Sequence, residues 1–168
     1  MRSDYVDKDI IGHILYALTE PNRLVCKVAL ETGLRIGDIV ALKTEVLIEK
    51  KSFTLREGKT GKKRRIRLSE RLREELIAQA GTIYVFEHRT DARKHRTRQA
   101  VYMDIKRAAK LFRIKANVSP HSLRKLYAVD IFKKSGDIER VRKALNHDSD
   151  AVTMIYALAD LMTAKKRG

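Results

Sequence analysis

Apolar residues at Ile10, Ile14, Leu15 and Leu18, then at Leu24, Val25, Val28 and Ala29, recur every three to four positions, the spacing that lines one face of a helix. Two amphipathic helices are therefore expected, separated near Pro21. Gly33 ends the second, because glycine accepts the left-handed backbone just past a helix, and Arg35 falls in the turn that follows. A short helix is expected over residues 38–42. The period then changes to two: Phe53 and Leu55 alternate with polar residues, as do Ile66 and Leu68, with Glu57-Gly58-Lys59-Thr60-Gly61 between them. This reads as a hairpin with a basic turn.

Leu72, Leu76 and Ile77 predict a helix ending at Gly81, Ile83 to Phe86 a short strand, and the polar residues 87–98 a loop. From Thr97 the set Val101, Ile105, Ala108 and Phe112 restores the helical period. Ser119-Pro120 is a helix start, the serine oxygen capping free N–H groups and proline tolerating the first turn. That helix runs to about Lys134 with Leu123, Tyr127, Ala128, Ile131 and Phe132 as its apolar face, and Gly136 terminates it. Ile138, Val141 and Leu145 predict another helix, and Val152, Ile155, Tyr156 and Ala159 a last one. The expected class is mainly α with one small antiparallel β-hairpin, an α+β fold in one domain spanning 1–168.

Composition adds a partner to this outline. The 168 residues include 37 Lys+Arg against 21 Asp+Glu, a net charge of +16. The excess is local: residues 50–73 carry +9 and residues 89–115 carry +8, while the remainder is close to neutral. Segregated positive charge points to a polyanion, and nucleic acid phosphate is the leading candidate. No apolar run is long enough for a membrane span or a signal peptide, so a cytoplasmic protein without membrane partners is expected. The single cysteine, Cys26, excludes an internal disulfide framework and reads as a small buried hydrophobe.

Individually the polar candidates are ordinary. His121 and Arg124 share a helix face, Arg35 has Asp38 and Glu31 as nearby ion-pair partners, Lys59 is a turn lysine, His147 stands at a helix junction and Tyr156 lies on an apolar stripe. In order, they form a set. Thr32-Gly33-Leu34-Arg35-Ile36-Gly37-Asp38, then Lys59-Thr60-Gly61 before a basic strand, then His121-Ser122-Leu123-Arg124, then Leu145-Asn146-His147-Asp148-Ser149, then Tyr156 nine residues after that histidine, resembles the catalytic domain of the tyrosine recombinases, the phage integrase family. The resemblance covers Val25 to Ala159. Lys125, Tyr127 and Asn146 depart from the commoner histidine, phenylalanine and glycine, but none stands at a position that the resemblance makes catalytic.

The resemblance implies that Arg35 and Arg124 clamp the scissile phosphate, Lys59 protonates the leaving 5′ oxygen, His121 and His147 assist, and Tyr156 is the nucleophile. The residue types suit the chemistry. A guanidinium donates bidentately to phosphate and keeps its charge, and a growing negative charge on phosphate oxygens needs such donors. No metal and no organic cofactor is implied. The expected activity is site-specific DNA cleavage and rejoining through a 3′-phosphotyrosyl intermediate. Type IB topoisomerase-like relaxation and a non-catalytic DNA-binding module are the alternatives, and histidine at the first position of His-x-x-Arg favours the recombinase. The partners expected are double-stranded DNA, other protomers in a tetrameric synaptic complex, and accessory DNA-bending proteins. Lys62, Lys63, Arg64 and Arg65 on the hairpin, with Arg93, Lys94, Arg96 and Arg98 in the polar loop, are the expected DNA contacts. Only 34 residues precede Arg35, so a catalytic domain without the usual N-terminal core-binding domain is expected.

Overall fold

The computed structural model describes residues 3–146. The predicted final helix, His147 and Tyr156 lie outside the described residues. Helix α1 (Lys8–Ala17) begins where the Asp7 carboxylate accepts the Ile10 N–H at 2.9 Å, and α2 (Glu20–Thr32) follows after two residues. Pro21 therefore sits in the first turn of α2 rather than in the gap, where its missing N–H costs no helical hydrogen bond. Gly33 closes α2 with φ 65°. Helix α3 spans Ile36–Val40, two residues earlier than its predicted position, with Arg35 as its N-cap residue.

A further short helix, α4 (Thr44–Glu49), has no counterpart in the sequence prediction. One turn and a half is too short to establish a period, and the consecutive apolar residues Val46, Leu47 and Ile48 suit either helix or strand. Only Leu47 of the three is fully buried.

Strands β1 (Ser52–Arg56) and β2 (Lys63–Arg67) form the expected antiparallel hairpin, with Phe53 opposite Ile66 and Leu55 opposite Arg64. Alternation turns Phe53, Leu55, Arg64 and Ile66 inward. Thr54, Arg56, Lys63, Arg65 and Arg67 are exposed on the other face. Helix α5 (Glu70–Gln79) starts at Ser69, whose hydroxyl accepts the Leu72 N–H. Ile83 to Phe86 is not a strand: Tyr84 makes an isolated bridge to Lys43, and Val85 donates to the Leu42 carbonyl at 2.9 Å. Burial of Val85 and Phe86 explains their apolar signal without a ladder. The following loop folds back on itself, with Glu87 bridged to His95 and the Arg96 N–H donating to the Phe86 carbonyl at 2.7 Å.

Helix α6 (Arg98–Leu111) is capped by Thr97 and fixed to the α1–α2 junction by the buried Asp104. One carboxylate oxygen accepts from the Thr19 N–H at 3.0 Å, the Thr19 hydroxyl at 2.9 Å and Asn22 Nδ2 at 2.8 Å, and the other from Arg107. Helix α7 (Pro120–Ser135) begins with reciprocal capping by Ser119 and Ser122, and α8 (Ile138–Leu145) ends at Asn146, at φ 55°.

The main core gathers α1, α2, α3, α5, α6 and the first half of α7. A smaller cluster, Ala128, Val141 and Leu145 with Tyr127, Ile131 and Phe132 against it, joins α7 to α8. Helix α7 thus lies between two apolar groups. Its buried residues include Leu126 and Val129, beyond the single face that the spacing predicts, because it serves two neighbours. Cys26 is buried on α2, as expected. Among the described residues no helix is long and apolar enough to cross a membrane.

Candidate active site

The site is built around the turn between α2 and α3. A Cβ on Gly33 would lie 2.2 Å from the Tyr127 ring, so this turn requires glycine twice, for its positive φ and for the close approach of α7. The Gly33 carbonyl accepts a hydrogen bond from Arg124 Nη1, and Arg124 Nη2 donates to the Leu145 carbonyl at 2.9 Å. Two main-chain oxygens from distant elements therefore hold one planar guanidinium. Arg124 is only 2% exposed, yet it lines the same cleft as Arg35.

Arg35 projects from the start of α3 with a side chain 13% exposed, and its Nη1 donates to Glu57 Oε2 at 2.6 Å. Neither nearby acid takes this role. Asp38 accepts the Gly58 N–H at 2.8 Å and so ties the hairpin turn to α3, while Glu31 accepts from Ser69. Lys59, one residue further along that turn, is exposed and lines the cleft. His121, in the first turn of α7, is exposed and lines the same cleft.

Arg35, Lys59, His121 and Arg124 thus share a cleft of about 1080 Å³, together with Arg98, Gln99, Tyr102 and Lys125. Its described lining carries Arg35, Lys59, Arg98, Arg124 and Lys125 and no acidic residue, a grouping of donors suited to a phosphate. Among the described residues no three His, Cys, Asp or Glu side chains are grouped as metal ligands.

The eight candidate DNA contacts divide by position. Lys62, Lys63 and Arg65 are exposed on the hairpin, and Arg98 lines the cleft. Arg93 and Lys94 are exposed but share Asp91, at 3.1 and 3.5 Å. Arg96 is half-buried, and desolvation pulls its guanidinium below the ordinary arginine value. Arg64 differs from the others: its side chain is 11% exposed, turned inward by strand alternation, and engaged with the Thr32 carbonyl and with Glu57. It is part of the framework rather than the basic surface.

Glu57 is the residue that the pattern of the sequence does not single out. A carboxylate in a basic turn reads as solvated, whereas here it is 0% exposed between two arginines. Lys125 is likewise buried, its Nζ donating to the Ser3 carbonyl at 2.6 Å, so the segment before α1 lies across the start of α7.

The family model described as Phage integrase family matches residues 5–161. Among similar proteins, a tyrosine recombinase of Thermosipho africanus is 28% identical over 91% of this chain and 56% of its own length. The tyrosine recombinase XerA of Pyrococcus horikoshii is 30% identical over 80% of this chain and 49% of its own. The probable integrase/recombinase YoeC of Bacillus subtilis is 29% identical over 81% and 76%. The chain thus spans from about half to three quarters of these relatives. Of solved structures, a XerA recombinase superposes with a TM-score of 0.71 at 23% identity, covering 98% of this chain and 66% of that one. Lambda integrase 75–356, bound as a dimer to a COC′ core site, gives 0.73 at 21%, covering 92% and 59%. These neighbours carry the same mainly helical architecture. By the extent of the family match and by its relatives, the chain belongs to the phage integrase family.

Proposed function

We propose that this chain is the catalytic domain of a site-specific recombinase that cleaves and rejoins DNA strands through a 3′-phosphotyrosyl bond. The observation that carries this reading is the convergence of Arg35, Lys59, His121 and Arg124 on one cleft whose described lining has no carboxylate. Four cationic or proton-donating groups from three separate elements are an arrangement for a phosphodiester.

The scissile phosphate lies between the arginines, which donate to its non-bridging oxygens; such a contact contributes about 3 kcal/mol to the transition state. Tyr156 Oη attacks phosphorus, and the bond to the 5′ oxygen breaks. Lys59 supplies the proton that this oxygen needs to leave as a hydroxyl, while His121 receives the phenolic proton or orients the phosphate and His147 donates to a non-bridging oxygen. A phenol titrates near pH 10, so the positive cleft also favours the attacking phenolate. Attack by a 5′ hydroxyl from a second strand reverses these steps and completes the exchange.

Double-stranded DNA is the partner, held mainly through phosphate contacts from Lys62, Lys63, Arg65, Arg93, Lys94, Arg96 and Arg98. Strand exchange needs several protomers; the fold is shared with a lambda integrase tetramer solved on a Holliday junction, at a TM-score of 0.71 and 21% identity. A tetramer on DNA, assisted by DNA-bending proteins in the cytoplasm, is the assembly that we assign to this chain.

The test uses a pool of end-labelled duplexes with randomised sequence and a single nick, from which the short 5′-hydroxyl fragment diffuses after cleavage and leaves the protein attached. A denaturant-resistant adduct mapping to Tyr156, lost in Tyr156→Phe while DNA binding persists, is the expected result. Binding with no adduct, or an adduct on another residue, overturns the proposal.

A further inference from the structure

We infer that Glu57 is a positioning residue for strand transfer, holding the phosphate clamp, the lysine turn and Asn146 at the end of α8 in one arrangement. This rests on the reading of the site given above. Glu57 leaves β1 at the base of the hairpin turn, and its carboxylate is fully buried. Oε2 accepts from Arg35 Nη1 at 2.6 Å and lies 3.4 Å from the Thr60 hydroxyl. Oε1 lies 3.5 Å from Asn146 Nδ2 and 3.7 Å from Arg64 Nη1.

The identity of these partners carries the inference. Arg35 is itself a clamp residue, Thr60 adjoins Lys59, and Asn146 adjoins His147. Arg64, the fourth, donates to the Thr32 carbonyl at the end of α2, just ahead of the turn that presents Arg35. A buried carboxylate is stable only when charge and hydrogen bonds compensate it, and an apolar group of similar volume commonly serves folding as well. One acid that joins the clamp arginine to the lysine turn and to the end of α8 has a use that packing alone does not require. With one nitrogen of Arg35 anchored on Glu57, the direction of the guanidinium at the cleft wall is set before DNA arrives.

Single-turnover cleavage of the nicked duplex pool tests this. Glu57→Gln keeps the volume and removes the charge. It is expected to lower the cleavage rate at saturating DNA by about tenfold or more, with affinity for DNA changed less than about threefold, because affinity is spread over the basic surface. In an Arg35→Ala background the same substitution should cost less than about a third of that, since its main route of action is gone. Should Glu57→Gln not fold, Glu57→Asp retains the charge on a shorter reach and is expected to fold and cleave more slowly. A folded Glu57→Gln or Glu57→Asp that cleaves at the unsubstituted rate overturns the inference. So does an undiminished loss in the Arg35→Ala background, which makes Glu57 a general structural residue. Absence of any adduct from the unsubstituted chain instead overturns the strand-transfer reading itself.

Discussion

Arg124 on α7 donates to the carbonyl of Leu145 at 2.9 Å, so a guanidinium proposed to hold phosphate also closes the C-terminal end of α8. Its other terminal nitrogen is engaged by Gly33. Substitution therefore acts on two observables. Arg124→Lys brings a single point of charge that does not span both carbonyls, and its stability should fall by about 1–3 kcal/mol. Adduct formation should fall by about 10²–10³-fold. Chemical denaturation and the nicked-duplex assay measure the two effects separately, and a lysine variant with full activity would remove Arg124 from the clamp.

Gly33→Ala meets two penalties. The backbone there has φ 65°, and the added methyl group would overlap the Tyr127 ring. A loss of about 2–4 kcal/mol is expected from urea unfolding. Combining Gly33→Ala with Tyr127→Ala should cost less than the sum of the single variants, because the overlap is removed while the backbone strain stays.

Acid sensitivity is expected at Asp104. Burial pushes its carboxyl up, but the donors Asn22, Thr19 and Arg107 together outweigh burial and hold it below the ordinary value. A carboxyl depressed in the folded state stabilises above its unfolded value, about 3.9, and that contribution is lost as pH falls from there through the folded value. Asp104→Asn should thus lower Tm at pH 7 and narrow the gap to the unsubstituted chain near pH 3. A gap that widens at low pH would contradict the assignment.

The hairpin separates surface charge from framework charge. Lys62→Ala, Lys63→Ala and Arg65→Ala should each weaken DNA binding and reduce the slope of log K against log salt by up to about 0.9, the value for one phosphate contact. Arg64→Ala, from the inward face, should leave that slope unchanged and lower the melting temperature instead. Binding titrations between about 50 and 200 mM salt distinguish the two classes.

Features with local causes were legible in the sequence. Ser119-Pro120, Gly33 and Gly136 mark helix ends because caps depend on one or two residues, and the period of two around Phe53 and Ile66 marks the hairpin. The order of Arg35, Lys59, His121 and Arg124 pointed to a shared site, and these four line one cleft. Features with distant causes were not legible. Glu57 pairs with Arg35 across 22 positions and with Asn146 across 89, and no spacing rule relates such partners. Arg64 carries the same charge as its neighbours Lys63 and Arg65, and only strand parity separates it from Arg65. Val85 and Phe86 looked like a strand because burial and β-pairing select the same side chains.

That parity limits how the hairpin can vary. Inward Arg64 and Ile66 alternate with outward Lys63, Arg65 and Arg67, so adding or deleting one residue within β2 would turn Ile66 to solvent and drive arginines toward the core. Changes of two residues preserve both faces. Length variation within the arm is thus quantised in pairs, and odd-numbered insertions have to be absorbed in the turn, which the Asp38 bond to Gly58 and the buried Glu57 tie to the rest of the site.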